Sequence, residues 1–194
     1  MVIHPTTGAY APSRQWPAER FAAVADRLAE EFGAAIVLVG GPDEVEATER
    51  VARLAHAPVL NLAGRTTFAT LAGVLLATDL VVANDSSIAH LAAALDRPVL
   101  TIVGPSNDRA WAPYGAATVT LPREAGAPLD LPRSRALVVR AANPHAPCLY
   151  IGYGPGNPHG CPHCRCLADI DADRVAVLAG QLLARATAPV AAAR

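Results

Sequence analysis

The segment Asn84-Asp85-Ser86-Ser87 joins the apolar run 80–83 directly to an Ala/Leu-rich stretch with helical spacing. Asp and Ser are favoured at helix N-termini, because their side chains accept hydrogen bonds from backbone N–H groups that have no partner inside the helix. The same N–H groups, together with the positive end of the helix dipole, also bind phosphate and other anions. The segment by itself therefore supports two interpretations, a helix cap without a ligand and an anion-binding site.

Similar polar loops follow other apolar runs, and their residue types suit a nucleoside diphosphate. Glycines allow the backbone to approach a ligand closely, Thr and Ser offer hydroxyls, and Arg14 offers a guanidinium that pairs well with phosphate. Glu44 has a carboxylate that can accept hydrogen bonds from ribose hydroxyls. Neither a GxxxxGK(S/T) loop nor a GxGxxG fingerprint after the first strand is present. The loops comprise residues 4–8 with 13–17, 40–44, 84–87 and 104–107.

Alternating apolar and amphipathic segments predict a single α/β domain over residues 1–194. Strands without a polar face that alternate with helices form a parallel sheet covered on both sides, so we expect a Rossmann-like, doubly wound sheet. The polar loops then share the edge at the carboxyl ends of the strands, where such domains bind ligands. The predicted strands are 2–4, 35–39, 59–62, 80–83, 99–103, 117–121 and 136–139. The predicted helices are 17–32, 43–56, 67–77, 86–95 and 171–186, with a long Gly/Pro/Cys-rich loop at about 143–168.

The composition argues against several classes of function. The chain has 194 residues, of which 52% are hydrophobic and 17% charged, with a net charge of -1, which is typical of one compact domain. A near-neutral chain gives no electrostatic reason to expect nucleic acid or an anionic membrane as a partner. No apolar stretch reaches the ~20 residues of a membrane-spanning helix. Residues 1–8 lack the features of a signal peptide, so a cytoplasmic location is expected.

Four motifs, in their order and spacing, resemble glycosyltransferase family 9, the bacterial ADP-heptose:lipopolysaccharide heptosyltransferases. They are HPTTG…SRQWP from residue 4, VLVGGPDE from residue 37, VVANDSSIAHLAAAL from residue 81 and GPSNDRAWAPYG from residue 104. The resemblance is to the C-terminal half of these proteins and covers nearly all of the chain. It implies a two-domain GT-B architecture, in which this half holds the nucleotide-sugar donor and the other half holds the acceptor and the general base.

The resemblance also implies roles for individual residues. Arg14 matches a basic residue, usually Lys, that stabilises the leaving phosphate, and it is therefore the candidate catalytic residue. Ser87 stands where Gly is usual, so a less close backbone approach is expected there, and Arg in place of Lys changes the geometry at the phosphate. Thr6 and Thr7 match a hydroxyl pair near the diphosphate, and Glu44 matches the ribose-binding acid. The complete implied donor-binding set is Thr6, Thr7, Arg14, Glu44, Asp85, Ser86, Ser87 and His90.

The implied activity is transfer of a heptose-like sugar from a nucleoside-diphosphate sugar to a hydroxyl of a saccharide or lipid-linked saccharide. The resemblance implies that no metal or other cofactor is required. The acceptor domain and its base are expected to be absent from this chain, so the chain alone is expected to turn over poorly. Two alternatives stay open: a non-catalytic nucleotide-binding or regulatory module that acts with a partner protein, and an unrelated doubly wound enzyme such as half of a nucleotide-sugar epimerase.

Four cysteines lie late in the chain and raise the question of zinc. Cys161, Cys164 and Cys166, with Cys148 upstream, could supply four thiolates, and CxxC spacing in a cytosolic chain favours a metal over a disulfide. The close spacing of the last two argues against such a site. Trp111 and Tyr114 are predicted to pack against the protein and not to stack on a base.

Overall fold

The computed structural model describes residues 1–8, 12–122, 129, 131–144, 146–148 and 165–187. Its strands are β1 (Val2–His4), β2 (Ile36–Leu38), β3 (Val59–Asn61), β4 (Val81–Asn84), β5 (Val99–Ile102), β6 (Ala117–Leu121) and β7 (Ala136–Ala141). They form one sheet in the order β3-β2-β1-β4-β5-β7-β6, and every neighbouring pair is parallel. The expected Rossmann-like, parallel α/β architecture is confirmed.

The predicted long helices are also present, with bounds within two residues of those expected from the sequence. Helix ends commonly differ by this much between methods of assignment. Two short helices and single turns of 3₁₀ helix at 12–14 and 42–44 were not predicted. The helices are α1 (Ala18–Phe32), α2 (Val45–Leu54), α3 (Phe68–Leu76), α4 (Ser87–Ala94), α5 (Asp108–Trp111), α6 (Arg165–Ala168) and α7 (Ala172–Thr187).

Helices cover both faces of the sheet, and this explains why the central strands have no polar face. In β4, Val82 belongs to an apolar cluster that includes side chains of α1 and α7. Its neighbours Val81 and Ala83 belong to a second cluster, which includes side chains of α3 and α4. Alternate residues of a strand point to opposite faces, so a strand buried on both must be apolar throughout.

The strand order reverses direction between β1 and β4. From β1 the chain winds outward through β2 to β3, and it then returns to add β4 and β5 on the other side of β1. The loops after β1 and β4 therefore diverge and leave a crevice at the carboxyl ends of these strands, which is the usual ligand position in open α/β sheets. At the far edge, β7 lies between β5 and β6, an exchange that the sequence did not indicate.

The short helix α6 shows how the C-terminal segment joins the domain. Leu167 is buried, and a Cβ atom on Gly104 would lie only 2.5 Å from Leu167 Cγ, so glycine allows this contact. The guanidinium of Arg20 on α1 donates to the carbonyls of Leu167 and Ala168, at 3.1 and 2.9 Å, and also to Ile170 O. None of the helices in the described segments combines the length and the apolar character needed to cross a bilayer.

Candidate functional site

A cleft of about 640 Å³ lies at the carboxyl edge of the sheet, where the strand order reverses. Seven of the eight residues predicted for donor binding line it: Thr7, Arg14, Glu44, Asp85, Ser86, Ser87 and His90. The eighth, Thr6, is 2% exposed, and its hydroxyl contacts the lining residues His4 and Glu44. The structure thus brings together residues that are up to 84 positions apart in the sequence, as the loop positions predicted. Their roles in binding stay a prediction.

Arg14 is held against the end of β4 by the loop that contains it. Its Nη1 donates to Asp85 O at 3.2 Å and to Asp85 Oδ2 at 3.4 Å, and its Nη2 donates to Thr7 O at 3.4 Å. The side chain is 13% exposed and the Asp85 side chain 7%. A guanidinium so fixed between two strand ends presents a positive charge to the cleft in a defined orientation, which suits a phosphate group.

Asn84, the last residue of β4, fixes the loop that leads to Arg14. Its Nδ2 donates to Pro5 O at 2.7 Å, and its Oδ1 accepts from the backbone N–H of Trp16 at 3.0 Å. The side chain is fully buried, and Trp16 is anchored in turn by its indole N–H, which donates to Ile170 O at 3.1 Å. The sequence pattern predicts Asn84 in a polar turn. In the structure, its side chain connects the end of β4 to the segment before α1.

Glu44 accepts hydrogen bonds on both carboxylate oxygens. Oε1 receives the hydroxyl of Thr6 at 2.5 Å and the N–H of Gly8 at 3.0 Å. Oε2 receives the N–H of Gly41 at 2.7 Å and lies 3.2 Å from His4 Nε2. Burial disfavours the charge, but the contacts with His4, Thr6 and Gly41 outweigh it and lower the pKa of Glu44 to about 2. The carboxylate is therefore ionised at neutral pH.

His4 was predicted as part of the polar loop 4–8 but not as a site residue. It ends β1, is 3% exposed, and its edge borders the cleft. Nε2 lies 2.9 Å from Thr6 Oγ1, and Nδ1 lies 3.0 Å from Ser86 Oγ, so the ring connects the β1 loop with the start of α4. A polar residue at the last position of an otherwise apolar, central strand was the available signal.

The N-terminus of α4 faces the cleft without a side-chain cap. Ser86 occupies the N-cap position, with φ -151° and ψ 166°, but its hydroxyl makes no capping hydrogen bond. Ala89 N donates to Ser86 O at 3.1 Å, whereas the N–H groups of Ser87 and Ile88 have no acceptor among the described residues. Of the two interpretations of this segment, side-chain capping is wrong for Ser86. The first turn of α4 keeps the donors and the dipole that an anion site uses.

Part of the cleft lining is apolar and partly aromatic, and we call this part the apolar wall. Phe68 at the start of α3 is 74% exposed, and Trp111 at the end of α5 is 52% exposed; both line the cleft, together with Leu71 and Ile88. Tyr114 is 89% exposed, so the prediction that it packs against the protein is wrong, whereas the same prediction for the half-exposed Trp111 stays a prediction. The loop 104–107 contributes none of the described side chains that line this cleft, and Ser106 is buried.

The cysteine cluster falls largely outside the described residues. Cys148 and Cys166 are half-buried, whereas Cys161 and Cys164 are not among the residues that the structure describes. Within the described part of the chain, no three His, Cys, Asp or Glu side chains are grouped so as to hold a metal ion. The zinc alternative therefore stays open as the sequence left it.

The chain is similar to known glycosyltransferases. The family model described as glycosyltransferase family 9 (heptosyltransferase) matches residues 1–130. Lipopolysaccharide heptosyltransferase 2 of Salmonella typhimurium is 33% identical over 102 residues, which are 50% of this chain and 29% of that protein. Lipopolysaccharide heptosyltransferase 1 of Pseudomonas aeruginosa is 34% identical over 120 residues, which are 61% of this chain and 32% of that protein.

Solved structures agree with this match and extend it over the whole fold. The structure of Escherichia coli ADP-heptose lps heptosyltransferase II superimposes with a TM-score of 0.66 and 28% identity, over 96% of this chain and 47% of that one. E. coli heptosyltransferase WaaC with ADP has a TM-score of 0.64 at 24% identity, over 93% of this chain and 43% of that one, and shows likeness of fold alone. The chain spans about a third of the length of the curated relatives in the aligned region and about half of the solved structures.

Proposed function

The chain belongs to glycosyltransferase family 9, and from this membership we propose that it forms the donor-binding domain of a glycosyltransferase. Its substrate would be a nucleoside-diphosphate sugar of the ADP-heptose kind, and the sugar would pass to a hydroxyl of a lipopolysaccharide-type saccharide. The observation that carries the proposal is the uncapped N-terminus of α4, which shares a cleft with the fixed guanidinium of Arg14. Both features favour a diphosphate.

The diphosphate is proposed to lie between Arg14 and the first turn of α4. Backbone N–H groups of Ser87 and Ile88 would donate to its oxygens, and Arg14 would balance the charge that develops on the leaving group. Asp85 would act by holding Arg14 in place. Because these groups supply the positive charge, we expect chelators of divalent metals to leave ADP binding unchanged.

The nucleoside is proposed to lie along the apolar wall. Phe68 and Trp111 are large exposed side chains in a polar cleft, and an aromatic face offers a stacking surface for a base. Thr7 and Glu44 lie at the polar side of the same cleft, where a ribose would connect base and diphosphate. Glu44 already accepts from four groups, so any ribose hydroxyl would have to share this carboxylate with them.

Transfer is proposed to need an acceptor-binding region outside these residues, because the chain covers 47% of E. coli ADP-heptose lps heptosyltransferase II. The general base that deprotonates the acceptor hydroxyl would lie in that region. Donor binding is therefore the property of this chain to test first.

The test is calorimetric titration of the chain with ADP, UDP, GDP and dTDP. We expect ADP to bind most tightly, and Arg14→Ala to weaken it about 10- to 100-fold, because a charge-assisted hydrogen bond contributes about 1.5–3 kcal/mol. Arg50→Ala is the matched control, since Arg50 is 63% exposed and pairs with Glu19 outside the cleft. Absence of binding by all four nucleotides, or equal loss in both variants, would contradict the proposal.

A further inference from the structure

His4 has two ring nitrogens, and each meets a different part of the cleft. Nε2 lies within hydrogen-bond distance of Thr6 Oγ1 and Glu44 Oε2, at 2.9 and 3.2 Å. Nδ1 lies 3.0 Å from Ser86 Oγ at the N-cap of α4. The imidazole is therefore the one described group that touches both the carboxylate of Glu44 and the hydroxyl at the proposed diphosphate site.

The contacts on Nε2 determine where the ring carries its proton. Thr6 donates its single hydroxyl proton to Glu44 Oε1 at 2.5 Å, so its oxygen can meet His4 only as an acceptor. Glu44 is ionised and also meets Nε2 only as an acceptor. Nε2 must therefore carry a hydrogen whether the ring is neutral or charged.

The state of Nδ1 then depends on the charge of the ring. In neutral His4, Nδ1 has no hydrogen, so the Ser86 hydroxyl must donate to it and turns its lone pairs toward the cleft. In protonated His4, Nδ1–H donates to Ser86 Oγ. The O–H bond of Ser86 is then free to rotate and to donate to another acceptor. Ser86 offers an incoming anion an acceptor in the first state and a donor in the second.

We propose that His4 is a positioning residue whose protonation converts the Ser86 hydroxyl into a donor to the diphosphate, so that donor binding takes up a proton. The inference rests on the proposed function, since it needs an anion at the start of α4. The only bond formed is Nδ1–H, whose proton comes from an acid in the solvent, and the Ser86 hydroxyl rotates to the ligand.

The other charges around His4 favour this coupling. Glu44 lies beside the ring, and Arg14 and the positive end of α4 border the same cleft. A bound diphosphate offsets the positive charge of these last two groups and adds negative charge beside Ser86. Asp85 pairs with Arg14, and the ionisable side chains of Asp43 and His90 also line the cleft. On β4, the register partner of His4 is the uncharged Ala83.

The experiment is titration of the full chain with ADP in buffers of different ionisation enthalpy, at pH about 7.5, above the ordinary imidazole pKa of about 6.5. The buffer dependence of the heat gives the number of protons exchanged. ADP also exchanges protons of its own, but this contribution is common to all variants, so the quantity read is the difference between wild type and variant. The variants are His4→Gln and Ser86→Ala, with His56→Gln as the control; His56 is 94% exposed and pairs with Asp26. His90→Gln tests whether the other histidine that lines the cleft exchanges the proton instead.

We expect wild type to take up more protons than His4→Gln or Ser86→Ala, and His56→Gln to match wild type. The affinity of wild type for ADP should fall with rising pH relative to His4→Gln, by up to about tenfold per pH unit across the titration of the ring. If His4→Gln does not fold, the NMR signal of the His4 imidazole in wild type decides, because ADP should keep the ring protonated to higher pH.

The outcomes separate this inference from the proposed function. ADP binding with equal proton uptake in wild type, His4→Gln and Ser86→Ala would overturn the inference alone. Loss of uptake in His90→Gln, with His4→Gln unchanged, would also overturn it and assign the proton to His90. Failure of wild type to bind ADP at any pH would overturn the proposed function and the inference together.

Discussion

Helices α3 and α4 both begin at the same cleft, but they use the residue at the N-cap differently. At α3, Thr67 caps the helix in the ordinary way, because its side chain accepts from Thr70 N at 3.2 Å. At α4, Ser86 makes no cap and turns its hydroxyl to His4 at 3.0 Å. Similar side chains at equivalent positions thus stabilise one helix and leave the other with unpaired donors toward the cleft.

The difference supports the proposal that the start of α4 binds an anion. A cap contributes about 1 kcal/mol, and α4 does without it although Ser86 is in position to provide one. The α3 end instead adds the exposed ring of Phe68 to the cleft. We therefore assign phosphate binding to the α4 end and base binding to the α3 end, and the variants below test that division.

The largest expected effect is on stability, through the hydrogen-bond network of Glu44, Thr6 and His4. In this network His4 contacts the Ser86 hydroxyl, which does not cap α4. With the pKa of Glu44 lowered from 4.5 to about 2, its charge contributes up to about 3 kcal/mol at neutral pH. Glu44→Gln should lower the free energy of unfolding by up to this amount. The lowered pKa means that the contribution is complete above pH 4.5 and is lost as the pH falls toward about 2.

Urea unfolding of wild type and Glu44→Gln at a series of pH values measures this. The difference between the two should be constant above pH 4.5 and shrink below it. Glu46→Gln is the control, an exposed acid in the first turn of α2, and should lower stability by no more than about 1 kcal/mol. A pH-independent difference would show that the carboxylate acts through shape and not through charge.

A carboxylate placed at the start of α4 should affect stability and binding in opposite directions. Ser87→Asp adds a negative charge at the positive helix end, which should raise stability by about 0.3–1 kcal/mol. The same charge repels a diphosphate and should weaken ADP binding at least about tenfold. Thr67→Asp is the control at α3, where Asp keeps the cap and ADP binding should change less than about threefold. Equal loss of affinity in both variants would contradict the assignment of the phosphate to α4.

Much of this arrangement could be predicted from the sequence, because it depends on local patterns. Apolar runs gave the strands, and parallel strands necessarily gather their following loops at one edge, which brought Arg14, Glu44 and Asp85 together in the prediction. The position of β7 between β5 and β6 could not be predicted, because no local sequence pattern indicates which of the two strands lies at the edge of the sheet. His4 was missed as a site residue for a similar reason: its partners lie 40 and 82 positions away, and only the fold brings them within reach.

Capping was harder to predict than helix position. Both Thr67 and Ser86 precede a helical pattern, and both are good N-cap residues by type. Whether the Ser86 hydroxyl caps α4 or contacts His4 depends on the position of the His4 imidazole. The local sequence 84–95 contains no information about that position. The residue type therefore predicted where the helix starts. The tertiary contact with His4 determines which hydrogen bond the Ser86 hydroxyl makes.

Removing the two hydroxyls should therefore give opposite results. Thr67→Ala should lower the free energy of unfolding by about 1 kcal/mol through the lost cap, and change ADP affinity less than about twofold. Ser86→Ala should lower stability less than Thr67→Ala, since it removes no cap, but should weaken ADP binding by about three- to tenfold through a lost hydrogen bond. Thermal unfolding and calorimetry on the same samples measure both quantities. Similar losses of stability in the two variants would mean that Ser86 caps α4 in solution.

The smallest effect expected concerns the aromatic start of α3. Phe68→Ala should weaken ADP binding about two- to tenfold, since an aromatic contact contributes about 0.5–1.5 kcal/mol. Inorganic pyrophosphate has no base, so its binding should not change in this variant, whereas Arg14→Ala should weaken both ligands. Tyr114→Ala is the matched aromatic control, because Tyr114 is 89% exposed and does not line the cleft. If Phe68→Ala weakened pyrophosphate as much as ADP, the ring would be supporting the phosphate site, and the division of the cleft between the two helix ends would be wrong.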